Sequence, residues 1–261
     1  MKLKLSILDK DGNVKNSFSA ENELFAVYEG EYVDGDRISL NCDERAFVKI
    51  KLDDCMEESF CFLSASYDFE IPFGEKKMSY DPKSFTGSRH YLYVRLATDS
   101  EIKAEKNLAL NPYDFHSNES LFPHAWANVE TRGEAVFAAR NAIDGLLANT
   151  YHGEWPYSSW GINRNPDAEF HLDFGRPVKI NSVAIYLRAD FPHDAWWTEG
   201  TLDFSDGSTL KIPLEKRGDA QIFSFDEKIV TSLTFYKLIK ADDPSPFPAL
   251  TQIKVFGRDL D

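Results

Sequence analysis

Apolar residues recur at every second position along most of this chain, and turn signals break the pattern about every ten residues. That combination suits strands with one buried face and argues against long amphipathic helices. Leu3, Leu5 and Ile7 alternate with polar residues, as do Val48, Ile50 and Leu52. On a third segment Leu92, Val94 and Leu96 fall on one face, and Tyr91, Tyr93 and Arg95 on the other. Turns are expected at Asp11-Gly12, Asp34-Gly35-Asp36, Phe73-Gly74-Glu75 and Thr86-Gly87-Ser88. The first 105 residues therefore read as a small β-sandwich, domain 1–105.

The charged, apolar-poor stretch Asp99 to Asn107 is the expected connection to a second domain, 106–261. It lacks the Gly, Ser and Pro of a flexible linker, so docked domains are expected. Beyond it, Glu134 to Ala148 suggests one or two short helical turns, and then alternation returns. Phe170, Leu172 and Phe174 mark one strand, and Val183, Ile185 and Leu187 another. Leu202 and Phe204 with Leu210 and Ile212 make a hairpin about Ser205-Asp206-Gly207-Ser208. Phe223 with Phe225, Leu233 with Phe235, and Ile253 with Val255 complete the set. The fold class is all-β: two β-sandwich domains, the second a jelly roll.

With 261 residues and 43% hydrophobic content, both cores can be filled. The net charge of -14 is spread over both halves, which argues against nucleic acid and against an anionic membrane surface as partners. The N-terminal MKLKLSILDKDG has no continuous apolar segment of an export signal, and Cys42, Cys55 and Cys61 suit reduced thiols. These features lead to an expected cytoplasmic location.

Four segments of the second half, in order, resemble the discoidin family, also called factor V/VIII type C domains. They are Asn107-Leu108-Ala109, Ala139-Arg140-Asn141-Ala142-Ile143-Asp144-Gly145, Asp167 to Gly175, and Pro248-Ala249-Leu250-Thr251-Gln252-Ile253-Lys254-Val255-Phe256-Gly257. The resemblance covers about 150 residues and implies a galactose-binding-like sandwich, the fold of many bacterial carbohydrate-binding modules. It also implies a calcium ion on the Asn141 to Gly145 loop. Asp144 would supply the carboxylate, Asn141 and Leu146 carbonyl oxygens, and Gln252 the closing ligand, where the family pattern has Glu. Hard cations take such oxygen ligands, and Gln in place of Glu removes one charge. Asp144-Gly145 also reads as an ordinary Asx turn.

The candidate ligand site lies in three loops. Tyr151 to Trp160 supplies His152, Trp155 and Trp160, and Tyr186 to Trp197 supplies Arg188, Asp190, His193, Asp194 and Trp196. Asp242 to Ala249 is stiffened by three prolines, which lowers the ordering cost of binding. Aromatic faces suit the C–H side of a sugar, and planar charged groups suit vicinal hydroxyls. The same residues also read as structural: an Arg188–Asp190 pair would pin a loop, and one of Trp196 and Trp197 belongs in a core. The leading reading is carbohydrate binding without catalysis. The alternatives are a sugar-active enzyme of uronic-acid type, with His and carboxylate groups as acid and base, and an assembly subunit within an oligomer.

Overall fold

The computed structural model describes residues 1–189 and 195–260. The N-terminal sandwich is built from β1 (Lys2–Leu8), β2 (Val14–Glu21), β3 (Glu23–Glu29), β4 (Arg37–Cys42), β5 (Ala46–Lys51), β6 (Ser59–Leu63), β7 (Tyr67–Glu70) and β8 (Arg89–Leu96). One sheet has the order β2-β1-β4-β7, and every pairing in it is antiparallel. The alternation expected from sequence is the burial pattern observed. Leu3, Leu5, Ile7, Val48, Ile50, Leu92 and Val94 are buried, while Lys2, Lys4 and Tyr91 are exposed.

Two features depart from the simple two-part reading. The connection is a short helix, α1 (Asp99–Lys103), closed by a capping box between Thr98 and Glu101. The two cores also do not separate at residue 105. The chain first enters the C-terminal sandwich through β9 (Lys106–Asn107), which pairs with the last strand, β17 (Ala249–Asp259). It then returns to the N-terminal sandwich. Tyr113 and Leu121 lie in the first core, and β10 (Leu121–Phe122) pairs with β6, extending the second sheet to β10-β6-β5-β8-β3. Asn111, fully buried, shapes this arm by donating to the carbonyls of Leu121 and Pro123.

The C-terminal sandwich contains β11 (His124–Ala127), β12 (Trp160–Gly161), β13 (Phe170–Leu187), β14 (Trp197–Phe204), β15 (Thr209–Pro213), β16 (Gln221–Lys240) and β17. Segments that read as separate short strands are fused: Phe170 and Leu187 lie on one 18-residue strand, and Gln221 and Lys240 on one of 20 residues. Register shifts between Asp173 and Val178 and between Ile180 and Ser182 bend β13. Its first part pairs with β11 and its second with β17, so the strand passes from one layer to the other. Short 3-10 turns at Ala135–Phe137 and Ala139–Ile143 occupy the stretch that suggested helical turns, and a third at Thr131–Gly133 precedes it.

The four discoidin-like segments meet in this sandwich. Asn107 Oδ1 accepts from the Val255 N–H at 3.0 Å, which ties the opening segment to the closing one. Phe170, Leu172 and Phe174 are wholly buried between the layers. Gly257 faces the bulge in β13, where a Cβ would collide with the Lys179 carbonyl; the closing glycine is there because only a bare backbone fits.

The two sandwiches are docked through charge on aromatic rings. The Arg176 guanidinium lies 5.2 Å from the Phe47 ring and 5.4 Å from the Phe62 ring, while holding Asp259 at 2.5 Å. Lys106 lies over Phe60. Such contacts are worth about 0.5–2 kcal/mol each.

Candidate functional site

Arg188 organises the loop end of the C-terminal sandwich. It follows the last residue of β13 and is 2% exposed. Its guanidinium donates to the Tyr151 carbonyl at 2.5 Å and to Ser159 Oγ at 3.4 Å. One buried cation thus fastens both ends of the 151–159 loop to the end of a central strand. Its backbone N–H donates to the Ala249 carbonyl at 3.2 Å, which adds the proline-rich loop to the same knot. The Arg188–Asp190 pair expected from sequence involves a residue outside those described; the loop-pinning bonds that Arg188 makes among the described residues go to Tyr151 and Ser159.

Beside this knot is a cavity of about 170 Å³ lined by Thr131, Arg132, Phe137, His152, Asn163, Arg188, Phe247 and their neighbours. Its walls come from the 3-10 turns, the turn after β12 and the loop entering β17. Gly161 lets the turn approach closely, since a Cβ there would press on Thr131 Oγ1. That same Oγ1 accepts the Asn163 N–H at 2.9 Å. Phe247, 39% exposed, offers an aromatic rim, with the Arg164 guanidinium 4.5 Å from its ring centre. Arg132, Asn163 and Arg164 hold φ of 55°, 50° and 62°. Left-handed backbone on non-glycine residues is costly and gathers at ligand sites; three of six such residues among those described stand at this rim.

The structure brings His152 and Arg188 together and separates the tryptophans. Trp160 is a correction: it is 0% exposed, packs on Phe170 and Trp197, and donates its indole N–H to the Val129 carbonyl. No ligand can reach it. Trp155 is not in the cavity lining, and its backbone N–H donates to the Met78 carbonyl of the N-terminal sandwich. Trp196 packs on the core beneath Lys216, outside the cavity. Asp190, His193 and Asp194 lie outside the described residues. Thr131, Arg132, Asn163 and Arg164 were not anticipated, because they lie outside the aromatic-rich loops that drew attention in the sequence. Phe247 was signalled only by the prolines around it.

A larger cleft of about 500 Å³ runs between the sandwiches, lined by Tyr80, Phe115, Glu130 and Arg140 among others. It contains none of the residues expected to bind ligand. Arg140 there is committed to the Asp114 and Pro112 carbonyls and to Asn141 Oδ1. We take the smaller cavity as the site because loop ends, fixed backbone and polar groups converge on it.

The residues expected to hold calcium are arranged differently. Gln252 turns its amide N–H groups toward the Asn141 carbonyl at 2.5 Å and Asp144 Oδ1 at 2.6 Å, and its Oε1 accepts the Gly145 N–H at 3.1 Å. The amide donor thus points at two oxygens that would serve a cation. Leu146 contributes a donor, its N–H reaching Asp144 Oδ1. One carboxylate beside Arg140 and an inward-pointing NH₂ group do not fit a calcium site, which needs oxygen donors throughout.

Asp144 is enclosed, and burial pushes its carboxyl up to about 7, against Arg140 and the hydrogen bonds from Leu146 and Gln252, which lower it. A carboxyl raised on folding binds extra protons in the native state between about pH 4 and 7. Its contribution to stability is full below pH 4 and is lost as pH rises to about 7. The unfolding free energy from urea titration is expected to fall across that window relative to Asp144→Asn, by on the order of a few kcal/mol. Parallel pH profiles for the two proteins would refute it.

Residues 123–243 match the family model of a domain of unknown function, DUF7402. No curated protein matches. Among solved structures, the chain is similar to chitosan-binding module 1 of a chitosanase/glucanase from Paenibacillus sp. IK-5. The identity is 18%, over 58% of this chain and 99% of the module, with a TM-score of 0.43. It is similar to the family 32 carbohydrate-binding module of Clostridium perfringens NanJ, solved with galactose, at 18% identity over 51% and 91%, TM-score 0.39. It is also similar to the lectin domain of lectinolysin complexed with Lewis B antigen, at 16% identity over 59% and 98%, TM-score 0.44.

Proposed function

We propose that this protein binds carbohydrate, taking one sugar unit into the loop-end cavity. The observation that carries this reading is the joining of three loops by Arg188 around a small concave space with Phe247 at its rim. The fixed backbone lowers the ordering cost of binding. Phe247 offers a face for the C–H side of a pyranose, while His152, Asn163 and Thr131 offer groups for hydroxyls.

Titration calorimetry after a glycan-array screen tests this. Phe247→Ala is expected to weaken the best glycan by about tenfold, through loss of roughly 1–2 kcal/mol of apolar contact, with an unchanged melting temperature. Intact binding in both Phe247→Ala and His152→Ala would move the site elsewhere.

A further inference from the structure

The chain carries -14, yet two arginines of the C-terminal sandwich stand at the cavity mouth: Arg132 in its lining and Arg164 over the Phe247 rim. Arg132 is answered by Glu134 in a two-pronged ion pair just outside the lining, at 2.5 and 2.8 Å. Arg164 is not answered: among the described residues no carboxylate stands within ion-pair distance of it, and it lies exposed over the Phe247 ring.

Two further observations single out Arg164. Its backbone is left-handed, as is that of Asn163 before it, so the chain holds a costly conformation where the guanidinium leaves the turn. Its ring partner is the aromatic proposed to carry the sugar. A ligand on Phe247 therefore meets a planar, permanently charged fork at its edge, suited to a carboxylate or sulfate. The acidic surface repels anions at long range, so selection has to be made at contact.

We propose that the loop-end cavity recognises a sugar bearing an anionic substituent, with Arg164 as the group that reads it. This rests on the carbohydrate-binding reading above. The test is calorimetry of the full chain with galactose, galacturonate and galactose 6-sulfate, at low and high salt, on the wild type, Arg164→Gln and Phe247→Ala. Both anionic sugars are expected to bind at least tenfold tighter than galactose at low salt. The advantage should shrink at high salt, and the ratio should fall toward one in Arg164→Gln. A preference for galacturonate alone assigns the group to a carboxylate, and one for the sulfate alone to a sulfate ester. Equal affinity for the three sugars, lost in Phe247→Ala, overturns the anionic preference and leaves the site standing. An anionic preference that persists in Arg164→Gln overturns the role of Arg164. Absence of Phe247-dependent binding for all three overturns both readings.

Discussion

Tyr113→Ala is expected to destabilise the N-terminal sandwich by about 3–5 kcal/mol, although the residue lies beyond the end of that sandwich in sequence. Its ring is 0% exposed and meets the edge of Phe69 with centroids 6.1 Å apart. Its hydroxyl donates to the Glu57 carbonyl at 2.7 Å and accepts the Leu52 N–H at 3.3 Å. The Tyr67 hydroxyl donates to the Tyr113 carbonyl. Removing the side chain leaves a cavity, the buried Leu52 N–H without its partner, and the part-buried Glu57 carbonyl without its donor. Tyr113→Phe keeps the volume and removes only the hydroxyl, so it should cost about 1–3 kcal/mol. Urea unfolding followed by tyrosine fluorescence measures both. The same geometry implies that residues 1–105 alone, lacking Tyr113, Leu121 and β10, show no cooperative transition. A full transition for that fragment would show that the arm is dispensable.

Gln252→Glu is expected to cost about 3–5 kcal/mol in the presence of a chelator, and to recover much of that in millimolar calcium. The amide makes three hydrogen bonds that lock the Asn141 to Gly145 loop to β17. A carboxylate at that position loses both donors and faces the Asp144 carboxyl. It also supplies the oxygen ligand that the wild-type site lacks, so a cation becomes the remedy. The wild-type melting temperature should not respond to either chelator or calcium. A wild-type protein stabilised by calcium would contradict the observed arrangement, in which the amide does the work of an ion.

Alternation alone placed most buried strand residues, because a strand with one wet face exposes its pattern directly. Leu3, Leu5, Ile7, Leu92 and Val94 are all where the period of two put them. The fusion of short segments into β13 and β16 was hidden by the bulges, whose irregular spacing at Gly175 and Asn181 looks like a turn in a linear reading. The return of the chain through Tyr113 was equally hidden, since nothing local distinguishes an arm that packs on a previous domain from a loop.

At the candidate site, Arg188 and His152 stood out in the sequence because charged and aromatic residues cluster around them, and both line the cavity. Trp160 misled for the opposite reason. An aromatic in a polar loop reads as a stacking surface, but its loop ends at that residue and β12 turns it inward. Arg164 and Arg132 left a weaker trace. Left-handed backbone at a non-glycine residue depends on tertiary contacts such as the Thr131–Asn163 bond, and composition does not record it.

The most direct test of sugar binding at the loop end is a crystal structure of the full chain soaked with galactose and galacturonate. The expected result is one ring in the cavity, stacked on Phe247 with an anionic or hydroxyl group toward Arg164 and His152. A sugar held only in the seam cleft against Tyr80 and Phe115, or on Trp155 or Trp196, would contradict it.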